Sequence, residues 1–261
     1  MQSWNHQFVM KFTLFLLFFL ITSLSFNVSA VVFGKEPVEE VVDHPGKLEL
    51  VYYDFIDQRP PLAPLRKVKA DYKYFYVLPG VVTPSIQSVY LLEHTTIRPN
   101  EVVLDIGSGS GIQAIFAAEK AAFVVATDID HAAVENTKFN VKGHNLENKI
   151  EVRQGDLFGP VKADEKFDVI ILNISYPYDE KTQWLWEIHE RFFKEASQYL
   201  KPGGRIYYQA GWAFNIPRIL SMIQTNGFHV MKMNMVSALK FQREPIVFLI
   251  IRNPLNPDIP M

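Results

Sequence analysis

Asp105-Ile106-Gly107-Ser108-Gly109-Ser110-Gly111 sets three glycines at alternate positions directly after a carboxylate. Glycine is needed where backbone turns tightly and approaches a ligand without a Cβ in the way. The spacing separates two kinds of ligand. A dinucleotide fingerprint wants its third glycine three residues after the second, where this chain has Ile112. A pyrophosphate needs open helix N–H groups, whereas an amino-acid moiety carrying an ammonium group wants a carboxylate nearby, which Asp105 is placed to help supply. Asp128 follows the glycines by about 20 residues, the interval at which an acid accepts from ribose hydroxyls. Its alternative duty, capping a helix, already falls to Asp130. In Gly155-Asp156-Leu157-Phe158 an acid could accept from an adenine amino group while an apolar neighbour packs on the ring. Asn173-Ile174-Ser175-Tyr176-Pro177 offers an amide and a flanking carbonyl for a substrate NH2 group, with an aromatic ring for the substrate's flat face.

Each cluster falls where a strand should end. Val102-Val103-Leu104-Asp105-Ile106 is an apolar run closed by glycines, as a buried parallel strand would be. Ile112 to Lys120 reads as a helix, 123–127 as a strand, and Asp130 to about Asn140 as a capped helix. Strands are expected at 150–153, 167–172 and 205–209. Leu185, Ile188, Phe192, Ala196 and Tyr199 recur at helical spacing, and Lys201-Pro202-Gly203-Gly204 stops that helix. Trp184 and Trp186 flank this stripe and read as packing before substrate contact. A helix from Pro217 to Thr225 precedes two last strands, 228–235 and 246–252, expected to pair antiparallel at one edge. The alternation implies an α/β fold: a Rossmann-like, doubly wound, mostly parallel seven-stranded sheet with an antiparallel edge strand. Ligands of such sheets lie beyond the carboxyl ends of the strands, where all the clusters fall.

The remaining chain is less regular. Residues 31–77 form an extension in which Leu48 to Tyr53 could be a strand and the prolines at 60, 61 and 64 exclude a central strand. Arg66, Lys67, Lys69 and Lys73 interleave with Tyr72, Tyr74, Phe75 and Tyr76, which reads as a solvated basic segment or, less directly, a face for an anionic substrate or membrane. Residues 1–30 have the grammar of a secretory signal: Lys11, an apolar run Phe12–Leu24 and Val28-Ser29-Ala30, and the signal reads better still from Met10. The run is short for a membrane span, yet an uncleaved anchor is the rival reading, and either version points the folded domain out of the cytosol. That implies an exported or membrane-anchored protein, with possible membrane association through residues 12–24. A net charge of −2 carries no strong nucleic-acid signature, and the absence of cysteine excludes thiolate metal sites and a cysteine nucleophile, so no metal is expected.

From Leu78 to Ile251 the chain resembles class I S-adenosylmethionine-dependent methyltransferases, and within them the small-domain group of ribosomal-protein, ribosomal-RNA and release-factor enzymes. The resemblance rests on Leu104–Gly111, on Ala126-Thr127-Asp128-Ile129-Asp130, on Ala132 to Asn136 with Asn140, and on Leu200-Lys201-Pro202-Gly203-Gly204. It implies S-adenosyl-L-methionine as cofactor, held at Asp105, Gly107, Gly109, Gly111, Asp128, Asp156 and Asn173, with Leu78 to Val81, Thr83 and Pro84 as the entry segment near its methionine part. Asn173 and Tyr176 are the candidates for the acceptor side. Amide and amino-group methylators of this group carry Asn-Pro-Pro-Tyr where this chain has Ile174-Ser175 in place of the prolines, while the ribosomal-protein enzymes have Asn followed by Ile. The methyl acceptor, a nitrogen of a protein, a nucleic acid or a small molecule, is therefore open. A cofactor-binding protein without catalysis is the rival function, and a nicotinamide-dependent oxidoreductase, disfavoured by Ile112, is a more distant one.

Overall fold

A computed structural model describes residues 38–41, 48–54, 66–211, 215–235 and 245–252. The leader expected at 1–30 and the proline cluster at 60–64 lie outside these residues. Among the described residues no helix is long and apolar enough to cross a membrane.

Four short strands come first: β1 (Val38–Val41), β2 (Leu50–Asp54), β3 (Arg66–Ala70) and β4 (Lys73–Val77), antiparallel in the order β1-β2-β3-β4. Of this sheet only the strand over Leu48 to Tyr53 was expected, and it is β2; the pairing with β3 and β4 corrects the reading of 66–76 as a solvated basic segment. Val68 and Ala70 alternate with Lys67 and Lys69, which is the period of a strand, and Val68, Ala70, Phe75 and Val77 are buried. Asp71, in the left-handed region at φ 53°, closes the two-residue turn between β3 and β4, a conformation that Asp tolerates. The exposed partners are tethered rather than loose: the Lys67 ammonium lies 4.0 Å from the centre of the Tyr74 ring.

A helix, α1 (Ile86–His94), leads into the second sheet through Pro84 and an N-cap Ser85. Then follow β5 (Val102–Ile106), α2 (Ile112–Ala117), β6 (Phe123–Asp128), α3 (His131–Gly143), β7 (Ile150–Gln154) and β8 (Phe167–Leu172). The chain continues through α4 (Leu185–Ala196), β9 (Leu200–Gly211), α5 (Ile216–Thr225), β10 (Phe228–Met235) and β11 (Pro245–Arg252). The sheet is seven-stranded, ordered β10-β11-β9-β8-β5-β6-β7. All pairs are parallel except those of β11, which inserts antiparallel between β9 and β10. The expected fold is thus present, with the reversed strand one place inside the edge.

Strand alternation sends Val103, Val124, Val169 and Ile171 to one face, against α1, α2 and the four-stranded sheet. Leu104, Ile106, Ile170, Leu172 and Ile206 go to the other, against α4 and α5. Burial on both faces explains the unbroken apolar runs of β5 and β8. It also places the ends of β5, β6, β7 and β8 side by side, with their loops on one edge of the sheet.

Candidate active site

The glycine loop hangs on the end of β6. The Gly107 and Ser108 amides donate to the Thr127 carbonyl at 2.8 and 3.0 Å, and the Gly109 amide donates to Asp128 Oδ2 at 2.9 Å. Asp128 Oδ1 accepts from the Asp130 amide at 3.0 Å, and Asp130 caps α3 by accepting from the Ala132 amide. Gly107 is required twice: its φ is 74°, and a Cβ there would lie 2.4 Å from Ile174 Cγ2. Gly109, at φ 57°, faces open space, with nothing within 4 Å of a Cβ.

That open space belongs to a cleft of about 310 Å³. Gly107, Gly109, Asp128, Asp156 and Asn173 all line it, so five of the residues singled out in the sequence are brought together. Asp105, Gly111 and Tyr176 do not line it. Gly111 is the N-cap of α2 at φ 81° and closes the loop from behind. A second cavity, about 230 Å³ between the four-stranded sheet and α1 and α2, touches none of the predicted residues.

Asp105 is sealed beneath the loop, with no exposed surface. Its Oδ2 accepts from the Ala114 amide at 3.1 Å, and its Oδ1 has no partner among the described residues. Burial pushes its carboxyl up to about 7, helped by the charge of Asp128 and opposed by the Ala114 N–H. An ammonium group near the loop would relieve this orphaned oxygen, which is the property the predicted cofactor needs. Asp156 is exposed and paired with Arg191 of α4 at 2.6 Å. Leu157 beside it sits on the cleft wall at φ 45°, a left-handed conformation costing a branched side chain about 1–2 kcal/mol. Thus Gly109, Asp128, Asp156 and Asn173 face the cleft, while Asp105 lies beneath its floor.

The Asn173 loop is fastened from three sides. Asn173 Nδ2 donates to Ser88 Oγ of α1 at 3.1 Å. His189 Nε2 donates to the Ser175 carbonyl at 3.0 Å, and Asn215 Nδ2 donates to the Pro177 carbonyl at 3.1 Å. His189 is fully buried in α4, and burial pulls it down to about 4, so it is neutral. With its Nε2 proton committed to Ser175, Nδ1 accepts from the Tyr208 hydroxyl at 3.0 Å. Tyr176 departs from expectation. It is buried, and its ring end packs so tightly on Gly211 that a Cβ there would lie 2.0 Å from the hydroxyl oxygen. Its ring supports the loop, and the surface expected to meet an acceptor is closed off. Trp186 is buried under the Arg218 guanidinium, as its packing role predicts, whereas Trp184 is exposed.

Sequence reasoning missed Ser88, His189, Tyr208 and Arg191. His189 stands one helical turn from Leu185 and Phe192 on the buried stripe, and a polar residue on an apolar stripe is the signal that would have found it.

Residues 84–235 match the family model of the methyltransferase small domain. The release factor glutamine methyltransferase of Clostridium acetobutylicum is 26% identical over 207 residues, covering 68% of this chain and 72% of that protein. A ribosomal protein L11 methyltransferase of Geobacillus kaustophilus is 39% identical over 110 residues, covering 42% of this chain and only 31% of its own length. The crystal structure of a ribosomal protein L11 methylase from Lactobacillus delbrueckii subsp. bulgaricus superposes with a TM-score of 0.54 at 25% identity, over 68% of this chain and 84% of that one. A family match over more than half the chain, falling on the glycine loop, the acidic end of β6 and the Asn173 loop, makes this protein a member of the methyltransferase small-domain family, an enzyme whose methyl donor is S-adenosylmethionine.

Proposed function

We propose that this enzyme methylates a side-chain nitrogen of a protein, an amide or an amine, in the cleft between the glycine loop and Asn173. The observation that carries the proposal is the state of Asn173. Its Nδ2 is committed to Ser88 Oγ, and among the described residues nothing donates to its Oδ1. That oxygen is suited to accept from an acceptor NH2 group and to fix the direction of its lone pair. The charged residues lining the cleft are Asp128, Asp130 and Asp156, with no lysine or arginine, which suits a neutral or cationic nitrogen better than a phosphodiester. Relatives named for glutamine and for ribosomal protein L11 support the same acceptor class.

When bound, S-adenosylmethionine supplies a methyl group on a positively charged sulfur, open to displacement by a nitrogen lone pair. The protein's part is position and exclusion of water. Gly109 and Asp128 bind on one side, Asn173 orients on the other, and Val81, Leu185 and Ile188 give the cleft apolar walls. A strong general base is not required: a neutral nitrogen can shed its proton to solvent once the new bond has formed, and a lysine ammonium, which has no lone pair, loses one to solvent before it attacks.

The test is transfer of labelled methyl from S-adenosylmethionine to proteins and peptides bearing glutamine or lysine, beside RNA of matched concentration. The expected product is methylated protein. Asn173→Ala should cut kcat by about 10- to 100-fold, a larger effect than its effect on the Kd for S-adenosylmethionine, because an orienting contact acts mostly on the reacting geometry. Label entering RNA instead, or Asn173→Ala turning over normally, would refute the proposal.

A further inference from the structure

Helix α3 carries a row of polar side chains that the methyltransferase reaction does not by itself explain. Asn136, Thr137 and Asn140 are each at most 2% exposed. Burying amides and hydroxyls in a helix face is costly unless every group is bonded, and here nearly all are. Asn136 and Asn140, with His144 beyond them, are spaced i, i+4, i+8, and they meet the outer edge of β4. Asn136 Nδ2 donates to the Tyr76 carbonyl at 3.0 Å, and Asn136 Oδ1 accepts from the Leu78 amide. Asn140 Nδ2 donates to the Tyr76 carbonyl at 2.8 Å, and its Oδ1 accepts from the Tyr76 amide at 2.9 Å. His144 Nε2 lies 2.9 Å from the Tyr74 carbonyl. The match is geometric: four helical residues advance about 6 Å and two strand residues about 6.7 Å, so the helix reads the free edge of β4 as a neighbouring strand would.

The same helix face grips the glycine loop. Thr137 Oγ1 donates to the Gly109 carbonyl at 3.0 Å and lies 3.0 Å from Ser108 Oγ. Asn140 Nδ2 also donates to the Ser110 carbonyl at 2.9 Å. The two gripped segments run into two stretches of the cleft wall: Gly107 and Gly109 in one, and Gly80, Val81 and Val82, which follow Leu78 after β4, in the other. Asn140 touches both segments at once.

We propose that Asn136, Thr137 and Asn140 are positioning residues that set the separation of these two stretches of the cleft wall, and through it the affinity for S-adenosylmethionine. The first sheet is then part of the cofactor site, since its edge strand is one of the two things α3 holds in place. The proposal rests on the reading of the cleft as the cofactor site.

The experiment measures S-adenosylmethionine binding by titration calorimetry, with melting temperature as control, for the full chain and for Thr137→Val, Thr137→Ser and Asn136→Ala. Valine keeps the methyl that packs on Gly111 and removes only the hydroxyl. Thr137→Val and Asn136→Ala should each weaken binding by about five- to tenfold, as expected for the loss of one or two buried hydrogen bonds. Thr137→Ser should restore most of the affinity. In turnover, KM for S-adenosylmethionine should rise while kcat at saturation changes by less than about twofold. A merely structural role would lower the melting temperature and leave the Kd of the folded protein unchanged. Wild-type affinity in either folded valine or alanine variant overturns the proposal, whereas a wild-type chain that binds no S-adenosylmethionine would overturn the cofactor site itself.

Discussion

Asp105 is the residue on which sequence and structure bear most differently. Its position at the carboxyl end of β5 marks it as a partner for an ammonium group, but it lies under the cleft rather than in it, with one oxygen unpartnered and the carboxyl pushed up to about 7 by burial. Bound cofactor ammonium favours the ionised form, so binding should release a proton from Asp105. Affinity for S-adenosylmethionine should therefore rise as pH goes from about 6 to about 7, before an α-amino group of pKa about 7.7–8.0 loses much of its charge. Asp105→Asn should abolish that rise and weaken binding, and a wild-type affinity flat across the interval would argue against coupling between Asp105 and the bound ammonium. Tyr176 shows the limit at this scale. Its type and place suggested a stacking surface, but whether a ring faces a ligand or a neighbouring strand depends on Gly211, 35 positions further on, which leaves room for it.

The elements from β5 onward were legible because each carries its own signal: apolar runs closed by glycine or acid, Asp130 as a cap, a stripe at helical spacing. Of the first sheet only β2 was, in the apolar run Leu48 to Tyr53; the other strands have four or five residues each and are defined by pairing with neighbours along the sheet. Helix α1 has nine residues and a start marked only by Pro84 and Ser85, and no element was expected over 86–94. The Tyr208–His189–Ser175 chain is a consequence of packing α4 on β9 and could not be read from either element alone. Tyr208→Phe leaves His189 Nδ1 without a donor in a dry site. It should cost about 1–3 kcal/mol in unfolding free energy by denaturant titration. It should also lower kcat more than S-adenosylmethionine affinity, since the loop it supports carries Asn173. Gly107→Ala should be worse for binding, because it adds backbone strain at φ 74° to a collision with Ile174. An unperturbed Kd in that variant would mean the loop has another stable path.

For the molecule as a whole, two buried groups that titrate below neutral pH or near it, His189 and Asp105, pull stability in opposite directions with pH. His189 is lowered to about 4 from 6.5, so it contributes stability above about 6.5 that is lost as pH falls through 4. Asp105 is raised to about 7 from 3.8, so it contributes stability below about 3.8 that is lost as pH rises through 7. Each is worth on the order of 3–4 kcal/mol, and between about pH 5 and 6.5 they offset one another. The wild type should show a shallow profile there by chemical denaturation. Asp105→Asn should unmask the histidine, with stability climbing steadily from about pH 5 to 6.5, and a profile unchanged by the substitution would deny the buried carboxyl its role. The cleft whose rim is Asp128 is the proposed seat of S-adenosylmethionine. The direct measurement is equilibrium titration of S-adenosylmethionine into the wild type and into Asp128→Ala at equal melting temperature. Two hydrogen bonds to a charged group are worth about 1.5–3 kcal/mol each, so the account predicts at least about a tenfold loss of affinity in the variant. Equal affinity in a folded Asp128→Ala protein would contradict it.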